Sequence, residues 1–386
     1  MELTEEQARL AEGGTPSERL AMRLLLALAR IHGADRLLPV RSVHISGASL
    51  KTVGEPGLEF IEAFSRGGAC VRVKTTVNPV GMDLERWREL GIPADFAEKQ
   101  LRIVRAYEAL GVEPSYTCTP YLTTNRPAFG EHLAWAESSA VAFANSVIGA
   151  RTNREGGPSA LASAVTGWTP DYGCHREEGR KATAVVDVDG PVRGVGFSLL
   201  GLHVGRIVGD GIPYFRGVSG DEDDLKWLSA ALASAGSVPM FHIEGLTPEA
   251  RGALRGGEDR LRVTGGDLDA VKRSMSTGDE PELLGFGTPQ LSLAELHALA
   301  DLVEEIRPKR RFWVCTSRWV RDLGRADVER LERHGGVVLA DTCLEVTPLE
   351  LFAGTTGTPS GKAAVYLPSL CKQKVVLEDA ADLLRR

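Results

Sequence analysis

Hydrophobic and polar positions follow two rhythms along the chain. Thr4-Glu5-Glu6-Gln7 reads as a capping box opening a short helix, and Ser17 as the cap of a second helix that runs to about Gly33. The strand-like runs "VRSVHIS" and "CVRVKTTV" follow, each closed by a glycine or proline loop. The pattern then predicts a helix over 96–110, a strand leading to Cys118, and a helix over 131–150 that ends in the polar "ARTNREGG". From about 180 the run "ATAVVDVDGPVRGVGFSLLGLHVG" is rich in glycine and β-formers and reads as a linker into another lobe.

From residue 224 a regular alternation begins. The helix "DDLKWLSAALASAG" leads to strand "VPMFHIEG", and Thr247-Pro248 marks the start of another helix. Strand "LLGFGTP" precedes a helix capped by Ser292 with Glu295, and strand "FWVCTS" precedes a helix at 325–334. Strand "GVVLADTC" follows, and "AAVYLPS" and a last helix close the chain. Alternating β and α at this spacing argues for parallel sheets and an α/β fold. Two lobes are expected, about 1–180 and 181–386.

Composition narrows the class. With 386 residues, 43% of them hydrophobic, the chain can bury a large core. A net charge of −7 and the lack of a basic stretch argue against nucleic acid as a partner. An anionic substrate would have to be met by individually placed Lys or Arg. The acidic start "MELTEEQARLAEG" is not a secretory signal, and "LAMRLLLALARI" carries arginines and is too short to span a bilayer. A cytoplasmic protein is expected. Six cysteines are too few for a disulfide scaffold, and the four Asn and four Gln give a composition of thermophilic type.

The strand pattern gives the cysteines meaning. Cys315 and Cys343 fall at the carboxyl ends of successive predicted strands, 28 residues apart, and Cys118 at the end of another. Ligands in open α/β sheets bind beyond such ends. Three convergent thiols would suit a soft metal centre with an open position; equally, they are small residues of a kind that packs in cores. Cys70 reads as a core residue and Cys174 as a loop residue, while Cys371 in "PSLCKQKV" is a reserve third ligand.

Other groups suit an anion. "HISGASLKT" places Gly47, Ala48 and Ser49 after a strand, where backbone amides can hold a carboxylate or phosphate, and Asn78 ends the next strand. Glu137, Ser138 and Ser139 begin or line a helix, with Asn145, Arg151, Asn153 and Arg154 beyond it. "GTTGTPSGK" nearly spells a nucleotide loop, but its glycine spacing is one short and Ala363 follows Lys362 where Ser or Thr is needed. It reads as an anion loop with Lys362 as its cation.

Taken together, "HISGASLKTVGE", "TTVNPVGMD", "SYTCTPY", "ESSAVAFANSVIGARTNREGG" and "ADTC" resemble the aconitase X family, over nearly the whole length from "LTEEQ" to "KAAVYLP". The resemblance implies an aconitase-like catalytic part, 1–386, with α/β lobes around a central 4Fe–4S cluster site. Some members of the family fuse a small swivelling domain to this part and others carry it as a separate small subunit; this chain resembles the large subunit of the split form. The expected activity is dehydration of (R)-5-phosphomevalonate to trans-anhydromevalonate 5-phosphate in isoprenoid synthesis. The alternatives are dehydration of cis-3-hydroxy-L-proline and a metal-free binding or scaffold subunit. The cysteine pattern of the family implies Cys118 and Cys343 as cluster ligands, with Cys315 as the third. Gly47, Ala48, Ser49, Asn78, Ser138, Ser139 and Lys362 are the expected substrate contacts. The catalytic base is expected to be a serine on the small subunit.

Overall fold

The computed structural model describes residues 2–386. Three parallel sheets follow one another along the chain. The first holds strands Lys74–Val77, Ser42–Ile45 and Leu133–Trp135, in that order across the sheet. The second holds His242–Ile243, Pro213–Arg216, Ala184–Val188 and Asp259–Val263. The third holds Gly336–Leu339, Phe312–Thr316, Leu283–Leu291, Thr355–Thr358 and Lys374–Leu377. Residues 181–386, read from the sequence as one lobe, thus carry two separate sheets.

Local chemistry explains most helix boundaries. Thr4 and Gln7 form the expected capping box, as do Ser292 and Glu295. The second helix, Pro16–Ile31, is capped by Thr15 rather than Ser17, and Ser17 instead donates to the carbonyl of Phe64 at 2.6 Å. The predicted linker near 180 is a strand and then the helix Val195–Val208. Its glycines serve packing: a Cβ on Gly201 would fall 2.5 Å from Cβ of Ala231, and one on Gly205 would fall 3.0 Å from the carbonyl of Leu232. That close approach lets it lie against helix Glu222–Gly236 at small-residue contacts.

Three further expectations fail for identifiable reasons. Residues 131–150 open with strand Leu133–Trp135, become helical only at Ser138–Phe143, and end in the wide π turn Ala144–Ile148. Thr247-Pro248 opens no helix; the Thr247 hydroxyl accepts from the Ile243 amide and closes a turn. "GTTGTPSGK" is a strand running into a helix and not an open loop. Thr355–Thr358 pairs as a strand, and Ser360 caps the helix Gly361–Cys371 by accepting from the Ala363 amide at 2.9 Å.

The cores follow the sheets. Val43, Ile45 and Val77 pack with Ile103 and Leu161 beneath the first, and Leu284, Phe312 and Val314 with Leu296 and Val303 beneath the third. Each such side chain contributes about 1.5–3 kcal/mol on full burial. No described helix is long and apolar enough to cross a membrane.

Candidate active site

The carboxyl ends of the first and third sheets face one cleft of about 380 Å³. Every strand of the first sheet delivers to it: Ser42–Ile45 runs into Ser46–Ser49, Lys74–Val77 into Asn78–Pro79, and Leu133–Trp135 into Ala136–Ser138. The third sheet supplies Glu345 and Lys362 from segments beyond its strands. Its strand order reverses direction around Leu283–Leu291, the kind of switch point where α/β sheets open a crevice.

The cleft gathers most of the residues expected from sequence. Gly47, Ala48, Ser49, Asn78, Ser138 and Lys362 all line it. Gly47 has φ +86, a left-handed turn that favours glycine, and Ser49 caps the next helix by accepting from the Lys51 amide. Ser139 does not line the cleft: it is fully buried, and its hydroxyl donates to Glu137 Oε1 at 3.1 Å.

Asn78 is held by a chain of hydrogen bonds. His44 Nε2 lies 2.8 Å from Asn78 Oδ1, His44 Nδ1 2.8 Å from Thr76 Oγ1, and Asn125 Nδ2 donates to that hydroxyl at 2.8 Å. Assigned from this network, Thr76 donates to His44, which donates to Asn78. The Asn78 carbonyl is thereby occupied and its NH₂ is left for the cleft. Burial lowers the His44 pKa to about 4, so the ring is neutral in this role.

Lys362 departs from its expected role. Its ammonium is 2.7 Å from Glu137 Oε1 and 3.1 Å from Glu345 Oε1, with all three side chains less than a tenth exposed. A buried lysine requires such partners. Burial pushes the Glu137 carboxyl up, but Lys362 and the Ala140 amide outweigh it and leave it lowered. Burial dominates at Glu345 and raises it. Glu345 Oε2 is buried with no partner. Arg154 also lines the cleft, and it makes no hydrogen bond or ion pair among the described residues. Glu345 was missed from the sequence, and Arg154 was noted there only as one polar residue among several.

The thiols lie deeper. Cys118, Cys315 and Cys343 are each at most 2% exposed. Cys315 ends its strand as expected and Cys343 follows the next one, but Cys118 ends no strand, because its segment is irregular beyond a single bridge at Glu113. Burial pushes the Cys118 thiol up to about 12 and raises Cys315 and Cys343 as well. After burial, the charges of Cys118 and Cys315 oppose ionisation of Cys343, and that of Cys118 opposes ionisation of Cys315, so the three share one neighbourhood. Gly287, at φ +91, lets the adjacent strand pass: a Cβ there would meet the Cys315 carbonyl at 2.0 Å. Cys371 packs in the same buried cluster as Cys315 and Cys343, its Sγ near Lys51 Nζ and the carbonyls of Leu344, Glu345 and Thr347. Cys70 is exposed, and Cys174 is buried near the carbonyl of Gly179.

Residues 1–178, 182–273 and 281–386 match in turn the first, second and third domains of aconitase X. The chain belongs to the aconitase X family. Among aconitase X relatives, the phosphomevalonate dehydratase large subunit of Methanocaldococcus jannaschii is 44% identical over 402 residues, with 100% of both chains covered. That of Thermococcus kodakarensis is 40% identical over 394 residues, covering 100% of this chain and 99% of the relative. The cis-3-hydroxy-L-proline dehydratase of Pseudomonas aeruginosa is 37% identical over 394 residues, covering 96% of this chain but 67% of that one. The crystal structure of Thermococcus kodakaraensis aconitase X (holo-form) superposes with a TM-score of 0.94 at 40% identity, over 100% of both chains. The α/β, aconitase-like fold expected for an aconitase X chain is the one observed.

Proposed function

We propose that this chain is the large subunit of a cytoplasmic phosphomevalonate dehydratase. The enzyme would remove water from (R)-5-phosphomevalonate to give trans-anhydromevalonate 5-phosphate, working with a small subunit. The observation that carries the reading is sequence identity, 44% and 40% to two phosphomevalonate dehydratase large subunits against 37% to a cis-3-hydroxy-L-proline dehydratase.

A 4Fe–4S cluster held by Cys118, Cys315 and Cys343 belongs to this reading. Among the described residues no group of three His, Cys, Asp or Glu side chains is arranged to hold a metal ion. Two observations support the fit of a cluster, which asks for one thiolate per iron. The buried thiols resist ionisation unless a cation compensates them. Buried polar atoms without partners, Thr288 Oγ1, Gln290 Oε1 and Glu345 Oε2, belong to residues beside or near the thiols; the backbone N–H of Gln290 donates to Cys118 Sγ at 3.2 Å. When bound, the cluster supplies an iron with an open position that polarises the departing hydroxyl.

The chain's own residues bind and orient. The unpaired Arg154 guanidinium takes a phosphate or carboxylate in two parallel hydrogen bonds. The fixed Asn78 NH₂ and the Ser138 hydroxyl position the rest of the substrate. Glu345 presents its free Oε2 as the proton carrier of this chain. The base that removes the α-proton, which must come within hydrogen-bond reach of it, is assigned to the small subunit by resemblance to aconitase.

The test is an anaerobic assay of both subunits together with both candidate substrates, followed by mass spectrometry. Turnover of 5-phosphomevalonate and not of cis-3-hydroxy-L-proline is expected. Turnover of the hydroxyproline alone would overturn the substrate assignment. Steady turnover by the large chain without its partner would place the base here.

A further inference from the structure

A second cavity, of about 300 Å³, lies where the first and second matched domains meet, away from the catalytic cleft. Its charged lining is Arg151, Arg180, Lys181 and Arg251 against Glu177 and Glu249, four cations to two carboxylates. The carboxylates are committed. Glu249 accepts from Arg180 Nε at 2.7 Å, and Glu177 from Arg151. Lys181 Nζ reaches only the carbonyl of Gly252, at 3.1 Å, and the exposed Arg251 has no partner among the described residues. Two positive charges are therefore uncompensated, which suits an anion.

A buried group independently points to a ligand. His242 lines the same cavity and is 1% exposed. Its Nε2 lies 2.8 Å from the carbonyl of Arg180. A carbonyl only accepts, so Nε2 carries the hydrogen and Nδ1 is a bare acceptor. Nδ1 is buried without a partner. A buried unsatisfied acceptor asks for an explanation, and a donor on a bound molecule supplies one. The ligand is then an anion that also carries a hydroxyl. The cavity volume sits at the lower end of small-molecule sites.

The floor of this cavity is tied to the catalytic cleft. Arg180 donates to the Asn145 carbonyl at 3.0 Å and to Asn145 Oδ1 at 3.3 Å. Asn145 stands in the π turn that continues the helix Ser138–Phe143, whose first residue lines the catalytic cleft. The same Asn145 side chain pairs with both backbone groups of Thr152, two residues before Arg154. Such π turns are frequent at functional sites. We infer that this cavity is a regulatory site for a small phosphorylated hydroxy compound, coupled to the catalytic cleft through Arg180 and Asn145.

The assembled enzyme, titrated calorimetrically with glycerol 3-phosphate and with inorganic phosphate, tests the site. Glycerol 3-phosphate should bind more tightly than phosphate, because it brings the hydroxyl. Arg251→Ala should weaken binding by about tenfold, the loss expected for one charge-assisted hydrogen bond. Arg154→Ala should leave this event in place, since Arg154 belongs to the other cleft. Glycerol 3-phosphate should also change kcat/KM for the dehydration in the wild type and not in Arg251→Ala. Binding that survives Arg251→Ala but is lost in Arg154→Ala would mean that only the catalytic cleft binds it, and would overturn the proposal. So would the absence of any binding, or occupancy with no effect on rate.

Discussion

Replacing Lys362 by Met keeps the length of the side chain and removes the only cation between two buried carboxylates. The ammonium sits 2.7 Å from Glu137 and 3.1 Å from Glu345, and none of the three side chains is more than a tenth exposed. Removing one partner of a buried ion pair costs about 3–5 kcal/mol, because the other charge is left uncompensated. Here two carboxylates are left facing each other, so the loss lies toward the upper end of that range, a large part of the ~5–15 kcal/mol that holds a typical protein folded. Urea denaturation at neutral pH measures it. The sign of the coupling decides the interpretation. If the carboxylates repel each other once Lys362 is gone, Lys362→Met/Glu137→Gln is more stable than Lys362→Met alone. Independent sites would make the double variant the least stable of the set, with the two losses adding to within about 0.5 kcal/mol. That additive outcome, or a single-variant loss below about 1 kcal/mol, refutes the account. The same reasoning bears on function. A Lys362 variant loses activity because its site deforms, so its kinetics do not report on phosphate binding.

Arg154→Ala should lower kcat/KM for 5-phosphomevalonate by roughly 10²-fold, with Arg154→Lys recovering only part of it, because a lysine cannot reproduce the planar fork; steady-state kinetics check this, and a change under threefold contradicts it. Cys118→Ser, Cys315→Ser and Cys343→Ser should each lose bound iron in anaerobically purified protein, measured by elemental analysis, while Cys371→Ser and Cys70→Ser retain it. Burial lowers the His44 pKa to about 4, against 6.5 in an unfolded chain, so the unfolded state binds the extra proton first as pH falls. Stability from this group is complete above about 6.5 and is lost toward about 4, a change of about 3 kcal/mol. His44→Gln should therefore flatten the dependence of the urea midpoint on pH across that window.

The sequence pattern exposed whatever depends on neighbours in the chain. Ser292 with Glu295 and Thr4 with Gln7 are caps because three residues separate donor from acceptor. Strands ending near Gly47, Asn78 and Cys315 were readable because alternating β and α elements place loops at one end of a sheet. The second sheet was obscured for physical reasons. Its edge strand Asp259–Val263 is mostly exposed and polar, and the helix Val195–Val208 carries glycines for close packing that read as loop formers. The site's electrostatics were hidden because they are non-local. Lys362 and Glu137 are 225 residues apart, so no spacing in the chain pairs them. One signal was available: Lys362 sits in the apolar "SGKAAVY", and a lysine on an inward-facing turn needs buried carboxylates. The freedom of Arg154 was not readable, since the sequence shows that an arginine is present but not that nothing pairs with it.

That freedom leads to a last prediction, about charge. The charged groups lining the cleft are Glu137, Glu345, Arg154 and Lys362, which sum to zero when all are ionised and to one positive charge when Glu345 holds its proton. Lys362 is already shared between the two glutamates, so Arg154 alone is left to meet an anion. On the proposed reading the substrate brings a carboxylate and a phosphate of about −1.5 to −2 at neutral pH. One guanidinium cannot balance both ends of such a molecule, and closing the cleft over an anion left unpaired would cost several kcal/mol. Iron with an open position would compensate the end near the thiols, which leaves one anionic group to be met by something this chain does not supply. The small subunit should therefore contribute a cation as well as the base. Alanine substitution of each Lys and Arg on the small subunit, assayed in the assembled enzyme, should reveal at least one position where KM for the phosphorylated substrate rises about tenfold or more while kcat falls little, the pattern of lost uniform binding. If every such substitution leaves KM unchanged, Arg154 suffices and the charge argument is wrong.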